Sequence, residues 1–215
     1  MELSRYNYLG NSNIGFYATV TNSQAIFPPE FKEKEVFDTE DVDTYVARTR
    51  LVGLFTAGNS NSILIPDVTT DIEKKKMDEA GIDYTVIDSE ETALGNLVLA
   101  NDNGAVISRN LEDQKEKIEE ALEVDVEVMD IAGTPNPGSC GAANSRGVLL
   151  HRDTSEETAE KVKEVLDVEH ADIGTVNTGS PFVGAGILTN DNAVVTGQDT
   201  SGPEVGRIDR VLVEK

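Results

Sequence analysis

The sequence predicts an α/β protein: a closed, five-fold pseudosymmetric ring of strand-strand-helix-strand units, with the N-terminal strand closing the ring. Three observations lead there. One short unit recurs five times along the 215 residues. The fifth copy has no trailing strand, whereas residues 3–9 form a strand with no unit. Charge is also segregated, with acidic helices and nearly uncharged turns.

The clearest copy is Leu94–Ser108, an apolar run, the turn Asn101-Asp-Asn-Gly104, and a second apolar run. Asn-Gly at 103–104 predicts a type I′ hairpin turn, because both residues tolerate positive φ. Neither run alternates cleanly, so the hairpin is expected to be covered on both faces. Aligned on the first Asn of the turn, the copies read Asn22-Ser-Gln-Ala-Ile-Phe, Asn59-Ser-Asn-Ser-Ile-Leu, Asn101-Asp-Asn-Gly-Ala-Val, Asn144-Ser-Arg-Gly-Val-Leu and Asn190-Asp-Asn-Ala-Val-Val. A Gly precedes the Asn by six residues in four copies (Gly53, Gly95, Gly138, Gly184) and by seven in the first (Gly15). Self-similarity at this period marks a repeat architecture.

Taken in order, residues 1–13 hold a strand candidate, Leu3 to Leu9. The first hairpin runs Gly15 to Pro28, where Pro28-Pro29 ends the second strand. Residues 30–43 allow only a short or degenerate helix, and Asp43 to Arg50 reads as a strand. The second hairpin runs Gly53 to Pro66. Thr70-Asp-Ile-Glu73 is a capping box, and Gly81 stops the helix that follows. Asp83 to Asp88 is a strand. After the third hairpin, Asn110 is expected to cap a helix from Leu111 to about Glu123, with Leu111, Ile118 and Leu122 on one face. Val124 to Ile131 is a half-buried strand. The fourth hairpin, Gly138 to His151, leads into a capping box at Thr154-Ser-Glu-Glu157. The helix after it has Ala159, Val162 and Leu166 on one side, and Glu169 to Val176 is the next strand. The fifth hairpin is Gly184 to Gly197, and Pro203 opens a last short helix. A ring pairs the orphan N-terminal strand with the fifth unit and removes an open edge. One domain over 1–215 is expected, with repeats at roughly 14–50, 51–92, 93–136, 137–181 and 182–215 plus 1–13. Hairpins should lie near the axis and helices outside.

Composition narrows the function. Forty Asp and Glu against 18 Lys and Arg give a net charge of −22, which disfavours nucleic acid as the main partner. No apolar run is long enough to span a membrane and no leader is evident, so a cytoplasmic location is expected. A single Cys excludes an internal disulfide framework. The acidity fits a cytoplasm with molar salt, where the Debye length falls to about 3 Å and self-repulsion is screened.

Candidate chemistry is sparse. Cys140 and His151 share a hairpin and could form a nucleophile and base, but Cys140 sits in a small, apolar stretch with no neighbouring cation, as a core thiol does. Two His and one Cys do not compose a zinc site without carboxylates. Gly133-Thr-Pro-Asn-Pro-Gly-Ser-Cys-Gly141 lacks the Lys-Ser/Thr ending of a phosphate loop. Gly184-Ala-Gly186 does not continue into a dinucleotide fingerprint. No cofactor, metal or catalytic residue is assigned. In a ring the turns gather at one place and the Gly-headed strand starts at another. Both sets are rich in Asn, Ser, Thr and Gly, which predicts ends of low charge on an acidic body, suited to docking.

Several stretches resemble the translation initiation factor 6 family: Thr92-Ala-Leu-Gly-Asn96 with Asn101-Asp102, Gly138-Ser139 leading to Asn144-Ser and Leu149-Leu-His151, Gly174-Thr-Val-Asn-Thr-Gly-Ser180, and Asp199-Thr-Ser-Gly-Pro-Glu204. The resemblance implies the pentein fold. It implies a factor that binds the large ribosomal subunit and keeps the small subunit from joining, expected as a monomer; because Phe16 and Leu54 are not basic, as residues at such positions are in some relatives, the contact is expected mainly with a protein surface near ribosomal RNA. It implies no enzymatic activity, no cofactor, no small-molecule substrate and no membrane. The acidity resembles that of a halophilic archaeal member. Carried over by motif, the contact residues are Phe16, Leu54, Asn96, Ser139 and Phe182. The rival readings are a guanidine-modifying enzyme of the same fold using Cys140, although its last repeat lacks the Cys and His such enzymes use, and a self-associating structural protein. The charge generates one prediction: the thermal midpoint rises from low salt to multimolar KCl, and equal midpoints would reject screening as a requirement of the fold.

Overall fold

A computed structural model describes residues 1–214; Lys215, the last residue of the fifth expected repeat, lies outside the described residues. Its strands form five three-stranded sheets. In each, a hairpin is extended by a parallel third strand. In the third unit Gly104–Ile107 runs antiparallel to Val98–Ala100 and parallel to Asp125–Val128. The other middle strands are Gln24–Phe27, Ile63–Pro66, Gly147–His151 and Ala193–Gly197. A parallel neighbour needs a crossover, and a helix supplies it. The helices are α1 (Asp71–Glu79), α2 (Lys115–Leu122), α3 (Glu156–Val165) and α4 (Gly202–Leu212). The first unit has only the 3₁₀ turn Glu35–Phe37, in line with its poor periodicity. The fifth sheet takes its parallel strand from the N-terminus: Glu2–Tyr6 pairs with Ala193–Gly197.

Middle strands are buried along their whole length. The reason is where the cores lie. Ala105 and Ile107 pack with Leu64 and Ile87 of the preceding unit, whereas Val106 packs with Val148, Leu150 and Val162 of the next. Leu149 turns to Ile187, Val194 and Ile208. Ile26 joins Ile63 and Met77, while Ala25 and Phe27 join Leu188 and Val195 of the fifth unit. Each middle strand therefore splits its alternating side chains between two cores, so neither face is polar. Each core is built around one unit's helix and is completed by residues of the unit before it.

Polar latches cross the same junctions. Asn101 accepts from the N–H groups of Asn103 and Gly104 (3.0 Å each), which fixes its own turn. Its amide then donates to the carbonyls of Asn144 (3.2 Å) and Leu166 (2.8 Å), at the end of the next unit's helix. Asn59 reaches Asn101 and Leu122, Asn144 reaches Asn190 and Leu212, and Asn190 reaches Thr21 and Phe37 in the same way. All four are buried. Each supplies a helix-end carbonyl with the donor it lacks within its own helix.

Several sequence expectations are corrected. Asn22 is not the first unit's counterpart: Thr21 accepts from Ser23 and Gln24 as Asn101 does from its turn. A hydroxyl has no amide to reach the neighbouring helix, and here Gln24 exchanges two hydrogen bonds with the backbone of Asp83. The hairpin at 103–104 is not type I′, since Asp102, Asn103 and Gly104 all avoid positive φ; the Asn101 side chain holds the turn. The Gly-headed runs do not open as strands. Ile14–Phe16, Val52–Phe55, Leu94–Leu97, Pro137–Cys140 and Val183–Gly186 are single helical turns. The expected strand Asp43–Arg50 is absent: the strand Glu40–Asp43 ends there and residues 44–50 form a loop. Ser108, not Asn110, caps a 3₁₀ stretch ahead of α2, and Ser155, not Thr154, caps α3. The capping boxes at Thr70–Glu73 and Ser201–Glu204 are present.

Asn101→Asp keeps the acceptor of the turn and loses both donors to the next unit. It is expected to cost about 3 kcal/mol in urea denaturation at fixed salt; unchanged stability would remove this latch from the account.

Candidate docking end

The five helical turns gather because of their glycines. A Cβ on Gly95 would overlap the carbonyl of Gly53, one on Gly53 that of Gly15, and one on Gly15 that of Gly184. Gly184 meets Gly138 and Gly138 meets Gly95 in the same way. Only a residue without a side chain permits this approach. A cavity of about 120 Å³ lies among them, and one of about 30 Å³ lies among the Asn turns. Both are lined by all five units and by no residue of α1–α4, and both are too small for an ordinary organic ligand. Beside the Asn turns, the Asn22 amide bridges the carboxylates of Asp102 (2.8 Å) and Asp191 (3.1 Å).

Phe16, Leu54, Asn96 and Ser139 each follow the glycine of their helical turn and are half-buried. Phe182 is in a different register. It precedes its turn, in the position that Asn13, Leu51, Ala93 and Asn136 hold in the others. The residue after Gly184 is Ala185, which is buried. Phe182 is 41% exposed and its ring stands edge-on to His151, 5.4 Å between centroids. Burial lowers the pKa of His151, and its Nδ1 accepts from the Asp153 N–H (3.1 Å). Across residues 11–17, 49–55, 91–97, 134–140 and 180–186 the only charged side chains are Arg50 and Glu91.

Tight connectors precede four of the turns, and sequence reasoning missed their strain. Leu9 and Gly10, Ala47 and Arg48, Ala132 and Gly133, and Asn177 to Gly179 all have positive φ. Gly and Asn could have signalled this; Leu9, Ala47, Arg48 and Ala132 carry no such signal. Two capping-box glutamates hold connectors in place. Glu73 accepts from the N–H groups of Arg48 and Thr70, each at 2.8 Å. Glu204 accepts from Thr178 (3.1 Å), Gly179 (2.9 Å), Ser201 (2.7 Å) and the Thr175 hydroxyl (2.7 Å).

Cys140 is fully buried. Burial pushes its thiol pKa up, and its close polar neighbour is the Thr134 hydroxyl at 3.3 Å. That setting holds a protonated thiol rather than a nucleophile. Among the described residues no group of three or more His, Cys, Asp and Glu is placed to hold a metal.

A model of the eIF-6 family matches residues 3–211. Translation initiation factor 6 of Staphylothermus marinus is 36% identical over 223 residues, covering 99% of this chain and 98% of its own length. That of Saccharolobus islandicus is 37% identical over 224 residues, covering 100% of both. That of Methanococcus maripaludis is 34% identical over 217 residues, covering 95% and 96%.

The Glu204 network generates a pH prediction. Partial burial alone would raise its pKa, but hydrogen bonds from Thr175, Ser201 and Gly179 outweigh this and bring it from 4.5 to about 2. A depressed carboxyl pKa stabilises the fold above the unfolded value and loses that effect as pH falls through the folded one. Glu204→Gln should therefore cost about 2 kcal/mol at pH 7. The gap to the parent protein should close between about pH 4.5 and pH 2. A gap that does not change with pH would show the carboxylate charge to be irrelevant.

Proposed function

The chain belongs to the eIF-6 family, and from that premise we propose that it binds the large (50S) ribosomal subunit and prevents the small (30S) subunit from joining. This is the role of a translation initiation factor, the name its relatives carry. One observation carries the reading: five apolar or neutral helical turns gather at one end of a chain whose net charge is −22.

An acidic body meets ribosomal RNA at an electrostatic cost, since each phosphate contact draws affinity from a cation. Phe16, Leu54, Asn96, Ser139 and Phe182 offer no cations. They suit a protein surface of the subunit, with apolar side chains at the centre of the contact and Asn and Ser supplying hydrogen bonds. Blocking then requires no chemistry. A bound body occupies the space the other subunit must enter, and at a concentration of 100 Kd it opposes joining by about 2.7 kcal/mol. The buried, protonated Cys140 supports a role without catalysis. The same reading extends to subunit biogenesis, because a factor that covers a joining surface suits an unfinished subunit.

The fold behind it is a single-domain closed ring of pentein type, five-fold pseudosymmetric, acting as a monomer in the cytoplasm of a halophile. Glycine contacts that run from turn to turn and return to the first support closure, as does the parallel pairing of Glu2–Tyr6 with the fifth unit. Among the described residues no helix is long and apolar enough to cross a membrane.

Gradient sedimentation of both subunits at high KCl tests the reading. The protein should travel with the large subunit and reduce joined ribosomes. Asn96→Lys and Phe16→Asp should each weaken the association about tenfold, or ~1.4 kcal/mol, without lowering the thermal midpoint. Unchanged joining at saturating protein would reject the function.

A further inference from the structure

Within residues 11–17, 49–55, 91–97, 134–140 and 180–186, Phe182 is the one large apolar side chain that is exposed. It belongs to the fifth unit, but the ring it leans on belongs to the fourth. That ring is His151, the last residue of the strand Gly147–His151. The two planes stand 67° apart with centroids 5.4 Å apart, the edge-to-face arrangement that aromatic pairs favour. Seven residues after Thr21, Asn59, Asn101 and Asn190, the same register is held by Pro28, Pro66, Ser108 and Gly197. Only the fourth unit places a group there that takes up a proton near neutral pH.

The protonation state of this buried ring follows from its hydrogen bond. The Asp153 backbone N–H donates to Nδ1. A backbone amide can only donate, so Nδ1 carries the lone pair and Nε2 the proton. Two charged groups flank the ring, Arg152 and Asp153, both on the turn after the strand. The Asp153 carboxylate stands 3.9 Å from Nδ1, beyond hydrogen-bond reach. Across the parallel strand His170–Gly174, Arg207 is held by Asp172 (3.3 Å) and the Ile173 carbonyl (2.6 Å), and Glu204 is taken up by Ser201, Thr175 and Gly179. Burial outweighs the Asp153 carboxylate and lowers the imidazole pKa below its ordinary 6.5. A proton added at Nδ1 would face the Asp153 N–H and break that bond. The Asp153 carboxylate would then be the near acceptor, and the ring has to turn to reach it. The edge contact with Phe182 depends on the orientation it would leave.

We propose, resting on the reading that Phe182 meets the large subunit, that His151 is a positioning residue: its neutral ring holds Phe182 ready for contact, and protonation at Nδ1 releases it. His151 is itself buried and acts only through Phe182. A side chain already fixed in its bound orientation loses little freedom on association, whereas a released one has that cost added to every binding event. Subunit binding therefore becomes sensitive to pH at an end of the molecule whose five helical turns hold no titratable side chain of their own apart from Cys140.

Two measurements test this, the first on the intact protein alone. With ¹³C-labelled phenylalanine, the Phe182 ring signals are identified among the six by Phe182→Leu. On acidification they should move together with the His151 imidazole signals, with one shared inflection below pH 6.5. His151→Asn keeps an acceptor near the position of Nδ1 and removes the ring, so its Phe182 signals should not follow pH. His170→Gln changes the other histidine, which is exposed, and should leave the inflection in place. A Phe182 ring that ignores the titration of His151, or an inflection that persists in His151→Asn, would overturn the proposal. A purely structural His151 would give the first of these results, with a lowered thermal midpoint in the variant as its only effect. The second measurement is co-sedimentation with the large subunit from about pH 8 to about pH 5. Binding by the parent protein should weaken about fivefold more than binding by His151→Asn, and an equal fall in both would overturn the proposal. Absence of binding by the parent at every pH would reject the subunit reading, while the first measurement still decides whether His151 positions Phe182.

Discussion

A buried side-chain amide that serves two masters is the constraint on which this architecture depends. The oxygen of Asn59, Asn101, Asn144 or Asn190 closes its own hairpin, and the nitrogen terminates the next unit's helix. Neither half is dispensable in a buried setting, where an unmade hydrogen bond costs the full desolvation of its donor or acceptor. The hairpin geometry of one unit and the helix length of the next are therefore fixed together. The hydrophobic cores follow the same logic, since each middle strand divides its side chains between two junctions. Stability is a property of adjacency, and a unit taken alone would expose the face of its middle strand that its own helix does not cover.

The two sets of loops are specialised by different means. At the Asn turns, side chains are consumed by one another: Asn22 spans Asp102 and Asp191, and Ser60 and Ser145 donate to the same carboxylates. Little hydrogen-bonding capacity is left over. At the helical turns, glycine brings backbones together, and in four of the five it leaves the next side chain half-buried. Acidic residues are kept on helices and outer strands, where they hold water and repel other acidic surfaces.

Much of this was legible in the chain, and the failures have physical causes. The hairpins and the capping box at Thr70–Glu73 were readable because Asn, Gly and Thr-x-x-Glu act locally, whereas at Thr154–Glu157 the same pattern lost to Ser155 one residue on. The helical turns were not, since Leu94-Gly-Asn-Leu97 is apolar enough for a strand and too short to show a 3.6-residue period. The first unit was misaligned by one residue. The spacing of seven from Gly15 was the available sign, and with Thr21 as counterpart it becomes six. At the candidate site, the burial of Cys140 followed from its small, apolar neighbours, but the register of Phe182 did not. Only the backbone distinguishes a residue after the glycine from one ahead of the turn. The left-handed conformation of Arg48 was beyond sequence reasoning, because Arg carries no local preference for positive φ.

The pairing of Glu2–Tyr6 with Ala193–Gly197 joins two strands that lie more than 180 residues apart in the chain. At about 5–20 residues per second, the N-terminal strand has no partner for roughly 10–40 s. During that interval Tyr8, Ile14, Ala25 and Phe27 also await Leu188 and Val195, with which they share a core. The nascent chain thus carries an unpaired edge and an open apolar face until Ala193–Gly197 has been made. Two features shorten the hazard: Glu2 and Arg5 place charge on the waiting strand, and it spans only five residues.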